Sequence, residues 1–466
     1  MARRIPRPAG AIALSLALTT LAAGCGDGVD RPPLPFTSGT RLRAIVLDAG
    51  GGAVSFAGWH DRELDVDCRF EPTDGGAMRC LPTEAGMVVY ADEACTTPIV
   101  LAWPGTACGA PRFARAGRLP GDACAATPTA LFAVGAPLES DVAYAAFGGA
   151  CQRLPGVGAD LFALGPAVDP ATLATADQVG VEPRGGGLLA RVLATPDGAT
   201  QVIEALDATG VDCARYRLPT GEDVCLGATA STGAAVRVFE DDACATPVPA
   251  AYDACEAEAP AAIIADGGQL RLPGPRIVGA LHTGSPGACG PDSRYTGYEL
   301  GRPATAADFP AMSAVRLGSG RIKAVYGGDP GGGLLVAEDL EDSASGRTCT
   351  LFGVAGETDL RCVALAAGGG GGSSTTYYGD AACTTPVTQW LAAGAVPDGP
   401  FVEAASACGP FATLRSAYTV KAVEGPTYRR DQGACVAGAP TWDLVPYVVD
   451  RVLPLDELPV VTRRIE

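Results

Sequence analysis

The sequence predicts an all-β protein made of three repeats, each about 140 residues long. Short apolar runs bounded by Gly, Pro or Asp occur throughout the chain, which is typical of strands joined by tight turns. Apolar residues at helical spacing are nearly absent, and 62 glycines and 38 prolines among 466 residues would interrupt helices too often. A cysteine-containing motif that occurs three times indicates the repeat.

The repeat is defined by the motif Asp-x-Ala-Cys-x-Thr-Pro. Its aspartates are Asp92, Asp241 and Asp380, its cysteines are Cys95, Cys244 and Cys383, and its prolines are Pro98, Pro247 and Pro386. A pair of cysteines precedes each motif, and the first members of these pairs follow one another after 145 and 136 residues. We therefore place the repeats at residues 41–183, 184–317 and 318–466.

The repeat length predicts the strand count and an architecture. Each repeat has room for about eight strands, which form two four-stranded antiparallel meanders. Six meanders in all would suit a six-bladed β-propeller, and three tandem β-sandwich modules are the alternative. Because the junctions between repeats lack long linkers, we expect one ring. In such a ring the strand at 460–465 lies beside the strand at 42–47 and closes the sheet.

The first residues have the features of a secretion signal. Three arginines precede an uncharged stretch at 9–23, which is too short to span a membrane comfortably. The stretch ends in Leu-Ala-Ala-Gly before Cys25, which resembles the lipobox of bacterial lipoproteins, although the family places its leucine one residue later. The resemblance implies a signal peptide at 1–24, a lipid on Cys25 and a location in the bacterial cell envelope. The resemblance also favours the outer membrane over the inner, because Gly26 directly follows the cysteine in place of the Asp that retains many family members in the inner membrane. Residues 25–40 are rich in Pro and Gly and are expected to be a tether.

The net charge of the chain limits the kinds of molecule that it is expected to bind. The chain has 34 Lys and Arg residues against 52 Asp and Glu residues, a formal net charge of −18. Nucleic-acid binding needs clustered basic residues and is therefore not expected. We expect the protein to contact the membrane through its lipid, and to bind a protein or a glycan that the sequence does not identify.

The cysteine count predicts a disulfide framework, because 16 cysteines remain once Cys25 is set aside. The leading pair of each repeat lies on two strands joined by a turn, where facing side chains can bridge. We expect the hairpin disulfides Cys68–Cys80, Cys213–Cys225 and Cys349–Cys362. For the remaining bonds we prefer Cys108–Cys151, Cys255–Cys289, Cys408–Cys435 and an extra Cys95–Cys124. Repeats 2 and 3 have five cysteines each, which leaves either one bond between repeats or two free thiols.

Metal and cofactor chemistry are not expected. The chain has no C-x-x-C pair for zinc. The recurring motif aspartates are interpreted as caps of backbone N–H groups in a turn rather than as calcium ligands, because a D-x-D-x-D-G string is missing. The two histidines, His60 and His282, lie at unmatched places in the repeats and are interpreted as surface or turn residues.

The repeated motif together with the lipobox resembles Cys-rich repeat lipoproteins of myxobacteria, over most of the chain. The resemblance implies no particular activity, and no functional residue is carried over. We expect a non-enzymatic, lipid-anchored envelope protein that presents a disulfide-stapled β-scaffold for binding or for a structural role. The alternative is a secreted, glycosidase-like hydrolase, which would need two Asp or Glu carboxyls about 5–9.5 Å apart in a cleft.

Overall fold

Strands make up nearly all the regular structure in the computed structural model, which confirms the all-β class. The described residues are 33–466 without 74–76, 103–109, 117–129, 141, 148–149, 155–159, 184, 228, 232–237, 253–259, 266–268, 286, 294, 332, 367–376, 393–398, 406–410, 432–433 and 439–443. In this part of the chain the helical segments are short 3-10 turns at Pro170–Thr172, Gly185–Gly187, Ala306–Asp308 and Leu455–Glu457. No helix among these residues is long and apolar enough to cross a membrane.

The strands follow one another at short intervals along the chain. Up to the end of repeat 1 they are β1 (Phe36–Thr37), β2 (Leu42–Asp48), β3 (Val54–Asp61), β4 (Val66–Pro72), β5 (Met78–Pro82), β6 (Ala85–Tyr90), β7 (Pro98–Ala102), β8 (Phe113–Ala116), β9 (Ala130–Pro137), β10 (Tyr144–Phe147), β11 (Ala150–Arg153), β12 (Asp160–Ala167) and β13 (Thr175–Pro183). In repeat 2 they are β14 (Leu189–Ala194), β15 (Thr200–Leu206), β16 (Asp212–Arg217), β17 (Asp223–Leu226), β18 (Thr229–Ser231), β19 (Val238–Phe239), β20 (Pro247–Val248), β21 (Ala250–Tyr252), β22 (Ala262–Ile264), β23 (Leu270–Arg276), β24 (His282–Ser285), β25 (Ala288–Pro291), β26 (Tyr295–Pro303) and β27 (Ser313–Leu317). In repeat 3 they are β28 (Ile322–Gly328), β29 (Leu334–Asp342), β30 (Arg347–Thr348), β31 (Thr350–Gly353), β32 (Leu360–Val363), β33 (Gln389–Ala392), β34 (Phe401–Ala405), β35 (Thr413–Ala422), β36 (Tyr428–Asp431), β37 (Ala434–Ala437), β38 (Leu444–Leu453) and β39 (Val460–Ile465).

Each repeat begins with an antiparallel meander. In repeat 1 the meander is β2–β5, in repeat 2 it is β14–β17, and in repeat 3 it runs from β28 to β32. The last strand of each repeat then joins its own meander to the next one. Strand β13 pairs with both β5 and β14, and β27 pairs with β28 after a bridge between Val224 and Ala311.

The circuit of strand pairs closes at the last strand. Strand β39 pairs with β32, where Val461 faces Leu360, and with β2, where Ile465 faces Ile45. This is the pairing expected of a ring. It gives residues 45–48 of β2 a partner strand on each side, β3 and β39, so edge-to-edge association through these residues is blocked.

The cores of the repeats are shared across their boundaries. Tyr326 and Val461, both fully buried, belong to one apolar cluster together with Ala53 from the β2–β3 turn. The indole N–H of Trp59, which is 1% exposed, donates to the side-chain oxygen of Gln201 in repeat 2 at 2.9 Å. Each meander therefore depends on its neighbours for part of its packing.

The second half of repeat 2 is a small closed barrel, and the other repeats share its strand order, so the structure does not confirm the six-bladed propeller. In repeat 1 the pairing order is β6-β7-β12-β9-β8 with β8 returning to β6, and in repeat 2 the same order closes a barrel of β18-β21-β26-β23-β22. The returning pairs, β6 with β8 and β18 with β22, are parallel, whereas a meander contains only antiparallel pairs. In repeat 3 the strands β33, β38, β35 and β34 follow the same order.

The three hairpin disulfides are present. Cys68–Cys80, Cys213–Cys225 and Cys349–Cys362 each link the third and fourth strands of a meander, with Cα atoms 5.0–5.3 Å apart. Their sulfurs lie in the apolar clusters of the three meanders. These bonds tie together the strands that contribute to the closed circuit.

The preferred pairing of the remaining cysteines is wrong. The bonds are Cys95–Cys151, Cys244–Cys289 and Cys383–Cys435, and they replace the expected Cys95–Cys124, Cys108–Cys151, Cys255–Cys289 and Cys408–Cys435. The reason is that an outer hairpin, β10–β11 in repeat 1 and β24–β25 in repeat 2, pairs beside the motif turn and brings its cysteine to the motif cysteine. The other members of the expected pairs, Cys108, Cys124, Cys255 and Cys408, lie outside the described residues.

Candidate functional site

The motif aspartates lie in tight turns and accept backbone hydrogen bonds. Asp92 receives N–H groups of Ala94 and Thr96 on Oδ1 at 3.0 and 3.2 Å, and that of Thr97 on Oδ2 at 2.6 Å. The contacts of Asp241 and Asp380 follow the same pattern. The oxygens that a calcium ion would need are therefore used by the protein's own amides.

These contacts shift the pKa values of the carboxyls. Partial desolvation raises the pKa of Asp92, but the hydrogen bonds from Thr97 and Thr96 outweigh it and lower the pKa to about 2. The balance is the same at Asp380, whose pKa is also lowered to about 2. At Asp241 the backbone N–H of Ala245 is the largest cause of a lowered pKa. All three side chains stay ionised at neutral pH.

The rest of the motif completes the turn. The motif cysteines adopt the left-handed backbone region, with φ of 52° or 53°. Pro98 and Pro247 begin a strand and Pro386 forms a bridge with Tyr378, positions where a missing N–H is tolerated. The motif thus forms the same hydrogen-bonded turn in all three repeats. Cys25, the predicted lipid attachment residue, lies outside the described residues.

A two-lobed cleft lies where the circuit of strands closes. We call it the seam cleft, and it is lined by β3, β4 and β8 of repeat 1, by the meander of repeat 3 and by β39. Asp67, Phe411 and Arg463 line both lobes. The lobe that contains His60 has a volume of about 610 Å³, and the lobe that contains Arg69 has a volume of about 790 Å³. Both sizes are typical of sites for small molecules.

The His60 lobe places a histidine between two carboxylates. Nδ1 of His60 lies 3.1 Å from Asp67, and Nε2 lies 3.5 Å from Asp65. The Arg463 guanidinium on β39 pairs with the other oxygen of Asp67. Glu84 lines the same lobe, and its pKa is raised, first by desolvation and then by the negative charge of Asp67. His60 is therefore part of a charged network at the seam and not an isolated turn residue.

His282 has a different setting. It lies on β24, opposite Phe239 and Pro291 in the sheet that carries the second motif. Its buried Nδ1 atom has no hydrogen-bond partner among the residues that the structure describes, and His282 does not line the seam cleft. The two histidines are thus not brought together.

A second aspartate, which was not predicted from the sequence, recurs in the three repeats. Asp61, Asp207 and Asp342 each follow or end the second meander strand and accept N–H groups from the next turn. Asp61 and Asp342 also bind Arg41 and Arg321, which begin their repeats. The sequence feature that could have revealed these aspartates is an Asp at the same position in all three repeats. The accompanying arginine is missing from repeat 2, where Gly187 stands in its place, so the pattern is harder to recognise there.

The fold and the cleft define a disulfide-rich, all-β repeat protein with a closed circuit of strands. The chain belongs to a family of unknown function, DUF7481, whose model matches residues 35–301. The matched range covers repeat 1 and most of repeat 2. Searches among curated proteins and among solved structures found no match.

Proposed function

We propose that this protein is a non-enzymatic, lipid-anchored protein of the bacterial cell envelope, and that its seam cleft binds a small polar ligand. The observation that carries the proposal is the position of the cleft. Its walls come from the strands that close the circuit and from two hairpin disulfides, Cys68–Cys80 and Cys349–Cys362. Side chains held by such a scaffold lose little conformational freedom when they bind.

The location rests on the beginning of the sequence. The arginines, the uncharged stretch and Cys25 have the order of a lipoprotein signal, and the Pro- and Gly-rich residues after it suit a tether. Six disulfides among the described residues suit an oxidising compartment outside the cytoplasm.

Lipid attachment is tested by Cys25→Ser. We expect the variant to leave the membrane fraction or to accumulate as an uncleaved precursor, because the acylated residue is lost. Cys95→Ser is the matched control, since it removes a cysteine elsewhere and should keep the membrane association. A processed Cys25→Ser protein that still requires detergent for extraction would contradict the anchor.

Ligand binding is tested by filling the cleft. Thr350 is exposed on β31 and lines the Arg69 lobe, so Thr350→Trp should occupy the lobe without changing the core. Native mass spectrometry of protein released from cells should show a small bound compound in the wild type that is lost in Thr350→Trp. Thr229→Trp, at an exposed site on β18, should retain it. If wild type and Thr350→Trp carry the same bound compounds, the cleft is not the site.

A second candidate function is supported by the carboxyls of the His60 lobe. Glu84 has a raised pKa, and Asp67 in the same lobe is paired with Arg463. A protonated acid and an ionised carboxylate with separate environments are what a glycosidase uses. The test is hydrolysis of 4-nitrophenyl glycosides. This candidate is supported if the wild type hydrolyses such a substrate, if Glu84→Gln loses the activity, and if the control Glu63→Gln keeps it. Absence of hydrolysis by the wild type across such a set would remove it.

A further inference from the structure

We propose that the Arg69 lobe of the seam cleft binds a small zwitterion with an apolar body, of the amino-acid or dipeptide type, with its carboxylate on Arg69 and its ammonium group on Asp339. This inference rests on the proposed function, because it names the ligand class of the same cleft. It is based on two charged side chains that line the lobe and form no ion pair with a described residue.

Most charges around the lobe already have partners. Arg463 pairs with Asp67, and Arg115 donates to Glu71 at 2.7 Å. Glu338 accepts hydrogen bonds from Arg215 on both carboxylate oxygens, at 2.8 Å on Oε1 and at 2.9 and 2.6 Å on Oε2. These three pairs are neutral overall, so they give the lobe no preference for an anion or a cation.

Arg69 and Asp339 are the two charged residues of the lobe that have no ion-pair partner in the described part of the chain. The Arg69 guanidinium makes one long contact, 3.4 Å, to the carbonyl oxygen of Ala57. The Asp339 side chain, which is exposed, makes no hydrogen bond or ion pair with a described residue, and desolvation followed by the charge of Glu338 raises its pKa. A free cation and a free anion that line one cavity are complementary to a ligand with both charges.

Ser55 supplies a third polar group at the wall of the lobe. The residue is 3% exposed, and its hydroxyl makes no side-chain hydrogen bond with a described residue. The hydroxyl group is therefore available to a polar molecule in the lobe, whether water or a ligand.

The other residues that line the lobe favour a ligand with an apolar body. The lobe is also lined by the apolar residues Leu47, Phe56, Leu340, Leu351 and Phe411. The volume of about 790 Å³ exceeds the needs of a single amino acid and leaves room for a dipeptide. A dipeptide with two aliphatic side chains matches both the apolar wall and the two separated charges.

The test is isothermal titration of the purified protein with Leu-Leu, N-acetyl-Leu-Leu and Leu-Leu amide. The acetyl form lacks the ammonium group, and the amide lacks the carboxylate. We expect wild type to bind Leu-Leu, and each blocked form to bind about tenfold or more weakly, since one charged hydrogen bond is lost. Arg69→Gln should no longer distinguish Leu-Leu from its amide, and Asp339→Asn should no longer distinguish Leu-Leu from its acetyl form.

The controls are Arg62→Gln and Asp242→Asn, which neutralise exposed residues outside the cleft and should keep wild-type discrimination. The inference is overturned if Leu-Leu does not bind, if the blocked forms bind equally well, or if both cleft variants still discriminate as wild type does. A bound compound that Thr350→Trp loses, together with no response to Leu-Leu, would leave the proposed function in place and reject this ligand class.

Discussion

The hydroxyl group of Tyr326 donates a hydrogen bond to the main-chain carbonyl oxygen of Val54 at 2.6 Å, across the boundary between repeat 3 and repeat 1. The Tyr326 side chain is fully buried, and burial raises the pKa of its phenol far above the usual value. The phenol is therefore a permanent donor at physiological pH. This contact and the pairing of β39 with β2 hold the first and last repeats together.

Tyr326→Phe tests the contribution of this contact. The variant keeps the ring and removes the donor, so we expect the free energy of unfolding to fall by about 1 kcal/mol, the usual worth of one hydrogen bond. Urea denaturation of the two proteins would measure the difference. Tyr216→Phe is the matched control, because the Tyr216 hydroxyl makes no hydrogen bond with a described residue. A control that loses as much stability as Tyr326→Phe would contradict the assignment.

Removal of residues 458–466 tests whether the repeats fold as one unit. The deletion takes away β39, so β2 loses the partners of Ile45, Val46, Leu47 and Asp48. We expect faster hydrogen exchange at β2 in repeat 1 as well as at β32 in repeat 3. Residues 41–183 expressed alone should aggregate, because β2 and β13 would both lose a neighbouring strand.

Two results would contradict folding of the repeats as one unit. If exchange rises in repeat 3 alone, the circuit of strands does not couple the two repeats. A soluble monomer of residues 41–183 with its own sharp melting transition would likewise favour three independent modules.

Peptide mapping without reduction tests the disulfide pattern. We expect linked peptides for Cys95–Cys151, Cys244–Cys289 and Cys383–Cys435 in addition to the three hairpin pairs. Each of the three closes a loop of 45 to 56 residues, and loss of one should lower the free energy of unfolding by about 2–4 kcal/mol. Recovery of a Cys95–Cys124 or Cys108–Cys151 peptide from native protein would contradict the structure.

The sequence was sufficient for features that depend on local spacing. Cys68 and Cys80 are joined by a turn, so strand geometry alone predicts their contact, and the capping role of Asp92 follows from the residues beside it. The pairing of Ile465 with Ile45 was also predictable, because matching strands at both ends of a repeat chain can close a ring.

The sequence was not sufficient where distant segments meet. Cys151 reaches Cys95 because the β10–β11 hairpin folds back onto β6. The spacing of residues within the hairpin does not predict this long-range pairing. The parallel pairing of β6 with β8, which makes a barrel instead of a second meander, has the same cause. The seam cleft combines side chains almost 400 residues apart, such as Asp67 and Arg463, so it could not be located from composition or spacing.

The last prediction concerns the acid stability that the motif aspartates provide. The pKa of Asp92 and of Asp380 is about 2 in the folded protein, against an ordinary value of 3.8. A carboxyl whose pKa is lowered by folding stabilises the folded state above its unfolded pKa, and this stabilisation disappears as the pH falls through the folded value. We therefore expect the double variant Asp92→Asn/Asp380→Asn to be less stable than wild type at pH 7, and the difference to shrink between pH 4 and pH 2. Urea denaturation at several pH values would measure it.

The matched control is Asp242→Asn, at the exposed residue beside the motif Asp241. Asp242 makes no side-chain hydrogen bond with a described residue, so its replacement should leave the pH dependence of stability unchanged. A stability difference between wild type and the double variant that stays constant from pH 7 to pH 2 would show that the hydrogen bonds from Thr97 and Thr385 do not favour the ionised carboxylates. The turns would then depend on their main-chain hydrogen bonds and on the Cys95–Cys151 and Cys383–Cys435 disulfides.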